Sequence, residues 1–199
     1  MRTIAEVCQE ADLFFMNQSA VHMAAQAISR ELKALGIPFA IAGALAANSH
    51  GHRRTTADVD ILLRREGLEL FKQRKLGLGY VQLFEGSKGL RDTVHNVKID
   101  VLLAGEFPGD GKPKPICFPD PADVSQTDRD GLPVLTLKCL LELKLASGMT
   151  APHRMQDLAD VMRLIQVNEL SLRFADGLHP FVREKFDELW HLAQIQEDF

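Results

Sequence analysis

The sequence predicts an α+β protein in which an α/β half precedes a helical half. Two observations indicate this. Short β-branched and aliphatic runs alternate with helical patterns up to residue 104, whereas only helical patterns follow residue 134. The residues between them are rich in Pro, Gly and Asp, which favours a long connection. We therefore expect an α/β core with an N-terminal helix at 1–104, a connecting segment at 105–133 and a helical domain at 134–199.

In the first half, residues 17–35 carry apolar side chains at helical spacing, with Ser19 as a cap and Gly36 as a stop. Gly43 then separates a short buried strand from a helix that follows immediately. The predicted elements after residue 36 are a strand at 38–42, a helix at 44–48, a strand at 59–63, a helix at 66–76 and strands at 80–85, 90–94 and 97–103.

The second half is predicted to consist of helices alone. Residues 135–147 carry leucines at helical spacing, with Thr136 as a cap and Gly148 as a stop. Pro152 is a good first-turn residue, so a second helix is expected to open there and to run through Ile165. Further helices are predicted at roughly 168–176 and 179–196.

Composition excludes some classes of protein. The chain has 199 residues, 25% of them charged, and a net charge of −4, so general affinity for nucleic acid or anionic membrane is not expected. Three widely spaced cysteines form no CxxC or CxxH pair, so neither a disulfide framework nor a zinc knuckle is indicated. Acidic residues interrupt the N-terminal region, and no apolar run is long enough to span a bilayer. We therefore expect a cytoplasmic protein with no membrane partner.

Asp58 and Asp60 are two residues apart on a predicted strand, so their side chains leave the same face. The neighbouring aliphatic residues indicate that this strand is buried. Two carboxylates on one buried face repel each other and are costly to desolvate, and an oxygen-liganded Mg²⁺ (or Mn²⁺) is a common solution. The alternative is a strand start whose aspartates face solvent or pair with Arg53 or Arg54.

Further features favour the metal interpretation. Asp100 lies inside another apolar strand, and three carboxylates on adjacent strands can hold metal ions and accept a proton. Gly43 lies where backbone N–H groups can approach a phosphate. Arg54 and Thr56 precede the aspartate pair in a polar loop, where a guanidinium can clamp phosphate oxygens. The ordinary alternatives are an edge position for Asp100, a simple turn at Gly43 and a solvated loop.

In this order, segments 41–44, 54–62 and 98–102 resemble the polymerase-β-type nucleotidyltransferase superfamily. Within it, the likeness is greatest to bacterial AbiEii-type toxins and related uncharacterised nucleotidyltransferases. Those proteins carry a Gly-Gly or Gly-Ser turn, an Arg-x-Thr-x-Asp-x-Asp segment and a third strand carboxylate. Segments 143–146 and 154–161 are similar to the family's Lys-x-x-Ala and Arg-x-x-Asp-x-x-Asp helices.

The resemblance implies a nucleotidyltransferase fold, with a short mixed and twisted β-sheet, flanking helices and a C-terminal helical bundle. It implies an enzyme that moves an NMP from an NTP such as ATP to an unidentified hydroxyl acceptor on an RNA end, a protein or a small molecule. Asp58, Asp60 and Asp100 would be both catalytic residues and ligands of Mg²⁺ (or Mn²⁺). The expected nucleotide-binding residues are Gly43, Ala44, Arg54, Thr56, Lys144 and Asp157.

An AbiEii-like toxin role would bring a cognate antitoxin as partner, and a homo-oligomer is the other association considered. Ala44 departs from the family pattern, which has Gly or Ser there, and this loss of a hydroxyl donor motivates a catalytically weak or silent nucleotide- or partner-binding module as an alternative. A second alternative is a metal-dependent phosphohydrolase that uses His50 and His52 with the aspartates. A short basic groove would suit a nucleic-acid acceptor, and its candidate residues are Arg53, Arg54, Arg64, Arg65, Lys72 and Lys75.

Overall fold

The computed structural model describes residues 3–16 and 18–195, and the predicted ranges that take in residues 1, 2, 17 and 196–199 extend outside this part of the chain. The strands are β1 (Phe39–Ile41), β2 (Asp58–Leu63), β3 (Tyr80–Gln82), β4 (Leu90–Asp92), β5 (Val97–Leu103), β6 (Ser125–Thr127) and β7 (Pro133–Leu135). The α-helices are α1 (Ile4–Phe15), α2 (Ala20–Ala34), α3 (Gly43–Ser49), α4 (Arg65–Lys75), α5 (Pro121–Val124), α6 (Leu137–Thr150), α7 (Met155–Val167) and α8 (Pro180–Ala193). The predicted α+β class is confirmed.

The strands form one mixed sheet in the order β3-β4-β5-β2-β1-β7-β6. At its centre β2 runs parallel to β5, while β1 is antiparallel to β2 and parallel to β7. The sequence did not predict β6 and β7, because both are short and begin in a stretch whose Pro, Gly and Asp content indicates a loop. Both begin inside the connecting segment predicted at 105–133, so this segment contributes to the sheet; the division into separate domains stays a prediction.

One face of the central strands forms the core. Val59 and Ile61 of β2 and Ile99 and Val101 of β5 are at most 2% exposed, and α2 packs against both strands. Fully burying an aliphatic side chain of this kind stabilises the fold by about 1.5–3 kcal/mol. Because side chains alternate along a strand, this buried face fixes the strand register and turns the residues between them to the opposite face.

The N-terminal helices differ in how well the sequence predicts them. In α2, Ser19 is the N-cap and Gly36 follows the last turn, as predicted. The first helix, α1, is held by a capping box in which Thr3 and Glu6 bond each other's backbone N–H groups. It was not predicted because it buries little apolar surface: Phe14 is its one buried side chain among those described. None of the described helices has the length and apolar character needed to cross a bilayer.

In the C-terminal part, α6, α7 and α8 pack against one another. Thr136 caps α6 as predicted, but the predicted stop at Gly148 is wrong, since α6 continues to Thr150. Gly148 serves helix packing instead: a Cβ there would lie 2.5 Å from Leu158 Cγ of α7. Pro152 opens a 3₁₀ turn before α7, and the helix predicted at 168–176 is a 3₁₀ segment at Leu172–Gly177.

Candidate functional site

Three carboxylates gather on the second face of the two central strands. The register of β2 and β5 pairs Asp60 directly with Asp100, and Asp58 with Lys98. Since side chains two residues apart share a face, Asp58 lies on the same side of the sheet as Asp60. All three aspartates are partly buried. We call Asp58, Asp60 and Asp100 the aspartate cluster; its members lie together as the sequence predicts.

The cluster carries negative charge that its surroundings do not fully offset. Burial, followed by the charges of Asp58 and Asp100, raises the pKa of Asp60 from 3.8 to about 6. The positive charges of Lys144 and Arg154 act in the opposite direction, but they do not restore the ordinary pKa. A carboxyl group with such a raised pKa, next to other carboxylates, is typical of a site that binds a cation or handles protons.

Gly43 allows the turn between β1 and α3 to approach Asp60 closely. Its φ of +59° is in the left-handed region, and a Cβ at this position would lie 1.8 Å from Asp60 Oδ2. The backbone N–H of Ala42 donates to the carbonyl of Asp60 at 2.9 Å, which holds the turn against β2. Ala44 follows, buried in the first turn of α3. The predicted contact of Gly43 and Ala44 with phosphate stays a prediction.

Two of the aspartates bond to neighbouring side chains. Thr56 Oγ1 donates to Asp58 Oδ1 at 2.6 Å, and Lys98 Nζ donates to Asp100 Oδ2 at 2.6 Å. In this conformation no three His, Cys, Asp or Glu side chains in residues 3–16 and 18–195 are grouped as a ready metal site. The three carboxylates themselves fit Mg²⁺ or Mn²⁺ as ligands, because these ions prefer carboxylate oxygens. The negative charge at Asp60 is also not fully offset by the nearby cations.

A cavity of about 130 Å³ opens beside Asp60, between the sheet and the C-terminal helices. Five of the residues predicted from the sequence line it, namely Gly43, Arg54, Asp60, Lys144 and Asp157. The other four, Asp58, Asp100, Ala44 and Thr56, do not line it. Typical ligand cavities measure about 300–1,000 Å³, so this one accommodates only part of a nucleotide, such as its phosphate groups.

Asp160 of α7, to which sequence reasoning gave no role, is a buried acceptor for several donors. Its carboxylate is fully buried and accepts from Lys144 Nζ at 2.6 Å, Gln156 Nε2 at 2.9 Å and Arg54 Nη2 at 3.0 Å. His52 Nε2 lies 3.1 Å from it. Desolvation raises the pKa of Asp160, but the charge and hydrogen bond of Lys144, with the bonds from its other donors, outweigh this and lower the pKa to about 2.

Lys144 is fixed between the two helices that face the sheet. Only 5% exposed, it donates to Asp157 Oδ1 at 3.0 Å as well as to Asp160. Asp157 in turn accepts from Ser147 Oγ at 2.7 Å, so Asp157 is itself held in place and orients Lys144. Ser147 was missed, although it follows Lys144 by three residues and therefore lies on the same helical face.

Arg54 is held at both its backbone and its side chain. The backbone N–H donates to Asn48 Oδ1 and the carbonyl accepts from Asn48 Nδ2, both at 2.8 Å, so the polar loop is attached to α3. Arg54 Nε lies 3.0 Å from Asp160 Oδ1, yet its N–H is not aligned for a hydrogen bond. The guanidinium therefore bonds Asp160 through Nη2, and the loop and α7 together position this charge at the cavity.

The other candidates bond elsewhere. His50 Nε2 lies 2.7 Å from the carbonyl of Leu135, and among the described residues no hydrogen bond joins His50 or His52 to the aspartate cluster. Besides Arg54, which pairs with Asp160, four residues of the proposed basic groove are ion-paired, which offsets their charge: Arg64 with Asp120, Arg65 with Glu106, Lys72 with Glu69 and Lys75 with Glu31. The groove therefore offers less positive charge than the sequence suggests.

The sequence matches no protein-family model and no curated protein. A fold alone does not fix an activity, so the chemistry of the site is the guide to function. The site combines the aspartate cluster, a glycine turn in contact with Asp60, and one small cavity that is lined by Asp60 and by the cations Arg54, Lys144 and Arg154. Such a set suits metal-assisted binding of phosphate groups.

Proposed function

We propose that this protein is a metal-dependent nucleotidyltransferase, an enzyme that moves an NMP from an NTP to a hydroxyl acceptor and releases pyrophosphate. The observation that carries the proposal is the in-register pairing of Asp60 with Asp100, with Asp58 on the same face and Gly43 in contact with Asp60. The resemblance of the sequence to the polymerase-β-type superfamily supports the same function. The most specific version of this proposal is an AbiEii-like toxin with a cognate antitoxin.

The aspartate cluster would hold Mg²⁺ or Mn²⁺. Bound there, the metal supplies charge stabilisation for the oxygens of the triphosphate and of the attacking hydroxyl. Asp100 is only partly buried and lies beside Asp60, so its carboxylate can accept the proton of that hydroxyl. The reaction needs no covalent nucleophile from the protein, because positioning and charge dominate phosphoryl transfer.

The cations at the cavity would bind the phosphates of the nucleotide. Lys144 and Arg54 are held in place by Asp160, and Lys144 by Asp157 as well, so their charges are preorganised. Arg154 is paired less closely: its side chain is 53% exposed, and its Nη1 lies 3.9 Å from Asp157 Oδ2. The β- and γ-phosphates and the leaving pyrophosphate would thus meet fixed positive charge from Lys144 and Arg54 and an adaptable contact from Arg154.

A second candidate function is a nucleotide- or partner-binding module that does not turn over. Its specific support is that the site's polar groups already have partners: Asp58 accepts from Thr56, Asp100 from Lys98, and Lys144 donates to two aspartates. Ala44 provides no hydroxyl at the phosphate turn, which favours the same interpretation. The two candidates differ in turnover, not in whether the site binds nucleotide.

The deciding experiment incubates the protein with each α-³²P-labelled NTP, Mg²⁺ or Mn²⁺, and RNA or protein extracts, and measures label transfer and pyrophosphate release. We expect transfer by the wild type and a loss of about 100-fold or more in Asp60→Asn, since that variant removes a metal ligand. Asp123→Asn is the matched control, because Asp123 is exposed. Equal release by wild type and Asp60→Asn contradicts the proposal, and binding without any release favours the silent module.

A further inference from the structure

Lys98 has its ammonium group at the aspartate cluster. It lies on β5 directly beside Asp58 of β2, and its Nζ donates to Asp100 Oδ2 at 2.6 Å. Because Lys98 and Asp100 are two residues apart on one strand, both side chains leave the face that carries Asp60. A lysine thus faces the three carboxylates that the proposed function assigns to a metal ion.

The charge of Lys98 acts on the whole cluster and not on Asp100 alone. Lys98 is paired with Asp58 in the register of β2 and β5 and donates to Asp100, and Asp60 shares this face of the sheet, so the ammonium group lies on the face that carries all three carboxylates. Among the described residues, no other lysine, arginine or histidine forms an ion pair with a member of the cluster. An isolated, half-exposed ion pair contributes little, so the interaction with three carboxylates is what makes this lysine distinctive.

We propose that Lys98 is a built-in counter-ion of the aspartate cluster and competes with the divalent metal ion for Asp100, so that it sets the metal affinity of the site. The competition is direct, because the oxygen bonded to Nζ is one that a metal ligated by Asp100 would use. The inference rests on the proposed function for the identity of the competing ion. The counter-ion role itself rests on the contacts of Lys98.

A bound nucleotide would change this competition. Once displaced from Asp100, the ammonium group on its flexible stem can donate to a phosphate oxygen nearby. Metal and NTP should therefore bind cooperatively, each tighter in the presence of the other, since coupling between two ligands is reciprocal. Removing the charge of Lys98 should strengthen binding of the metal alone and reduce this cooperativity.

The first arm of the test measures thermal unfolding in chelator at pH 7.5. Lys98→Met should lower the Tm by about 2–4 °C, the shift expected for a modest loss of unfolding free energy in a chain of this size. Lys98→Arg should keep the wild-type Tm. Asp60→Asn should raise the Tm more in the Lys98→Met background than in the wild type, although Asp60 has no hydrogen bond to Lys98. Lys185→Met is the control, because Lys185 pairs with Glu188 at an exposed site on α8. An unchanged Tm in Lys98→Met, or an equal effect of Asp60→Asn in the two backgrounds, overturns the counter-ion role.

The second arm measures Mn²⁺ and Mg²⁺ binding by calorimetry without nucleotide. Lys98→Met should bind about tenfold tighter than the wild type, the size expected when one nearby like charge is removed from a partly buried site. Metal binding that is detected in Lys98→Met but not in the wild type also supports the competition. Equal Kd values in the two proteins overturn the inference and leave the proposed function intact. Absence of binding in both contradicts metal-dependent function and the competition together.

Discussion

Gly43 is the residue on which the geometry of the site depends most directly. A Cβ here would lie 1.8 Å from Asp60 Oδ2, and the φ of +59° is unfavourable for any side chain. Gly43→Ala should therefore displace the Asp60 carboxylate and abolish metal-dependent nucleotide binding. We expect a loss of stability of about 1–3 kcal/mol, measured by urea unfolding, with binding followed by calorimetry.

Gly36→Ala is the matched control for this variant. Gly36 has a similar φ of +66°, but no atom lies within 4 Å of a Cβ built there. It should therefore show the backbone strain without the clash, and it should bind nucleotide like the wild type. Nucleotide binding by Gly43→Ala at wild-type strength would show that Asp60 is not needed in its present position.

Asp60 makes stability depend on pH in a defined direction. Its folded pKa of about 6 exceeds the ordinary 3.8, so between these pH values the folded state binds more protons than the unfolded chain. The contribution of this group is therefore favourable at low pH and is lost as the pH rises through 6. Asp60→Asn should be close to the wild type at pH 4 and about 1–3 kcal/mol more stable at pH 7.5 in chelator.

Urea unfolding at the two pH values tests this, with Asp123→Asn as the exposed control. A stability difference between Asp60→Asn and wild type that is the same at pH 4 and pH 7.5 would contradict the raised pKa. The opposite sign, with the variant less stable at pH 7.5, would mean that the Asp60 carboxylate is stabilised by cations more strongly than it is destabilised by its surroundings.

Single residues were predictable from the sequence where local pattern determines them. Asp58 and Asp60 could be assigned to one strand face because the alternation of side chains is local, whereas the position of Asp100 beside Asp60 comes from the register of β2 and β5. Asp160 could not be assigned its partners, because its bond to Arg54 joins residues 106 positions apart. The role of Lys98 was hidden for a similar reason, since only the register of β2 and β5 reveals that it faces Asp58.

At the scale of elements, a buried ion-pair network joins α6, α7 and the polar loop before β2. Asp160→Asn should destabilise the protein by about 3–5 kcal/mol at pH 7, since it leaves Lys144 and Arg54 without their shared carboxylate. Because the folded pKa of Asp160 is lowered to about 2, this contribution is present above pH 4 and is lost as the pH falls toward 2.

Chemical unfolding of Asp160→Asn, compared with Glu188→Gln on α8, measures this effect. Glu188 forms an exposed ion pair, so its loss should change stability by less than about 1 kcal/mol. A similarly small effect for Asp160→Asn would show that the network does not join the helices to the loop. In that case Lys144 and Arg54 would not be preorganised at the cavity.

The sequence predicts elements well where they bury a periodic apolar face. It predicts α2, β2 and β5 for that reason, whereas α1 was not predicted because it buries little apolar surface. Gly148 was misread as a stop because a glycine that ends a helix and one that allows a neighbouring helix to approach look alike in sequence. Tertiary contacts also explain β7, whose three residues join the sheet by pairing with β1.

In the whole molecule, the sheet and the helical bundle bring Asp60 of the aspartate cluster and the fixed cations Lys144 and Arg54 to one cavity. The lining residues come from both halves of the chain: Asp60 lies on the central strand β2, while Lys144 and Asp157 belong to α6 and α7. Binding of a metal–nucleotide complex by this arrangement requires both the aspartates of the sheet and the cations at the cavity. Such binding can be tested without knowledge of the acceptor.

The most direct test of this binding is calorimetry. Each NTP is titrated, with Mg²⁺ and with chelator, into wild type, Asp60→Asn and the exposed control Asp123→Asn. We predict that wild type and Asp123→Asn bind an NTP only when Mg²⁺ is present, and that Asp60→Asn loses this binding. Metal-dependent NTP binding that survives unchanged in Asp60→Asn would contradict a metal–nucleotide site at the aspartate cluster.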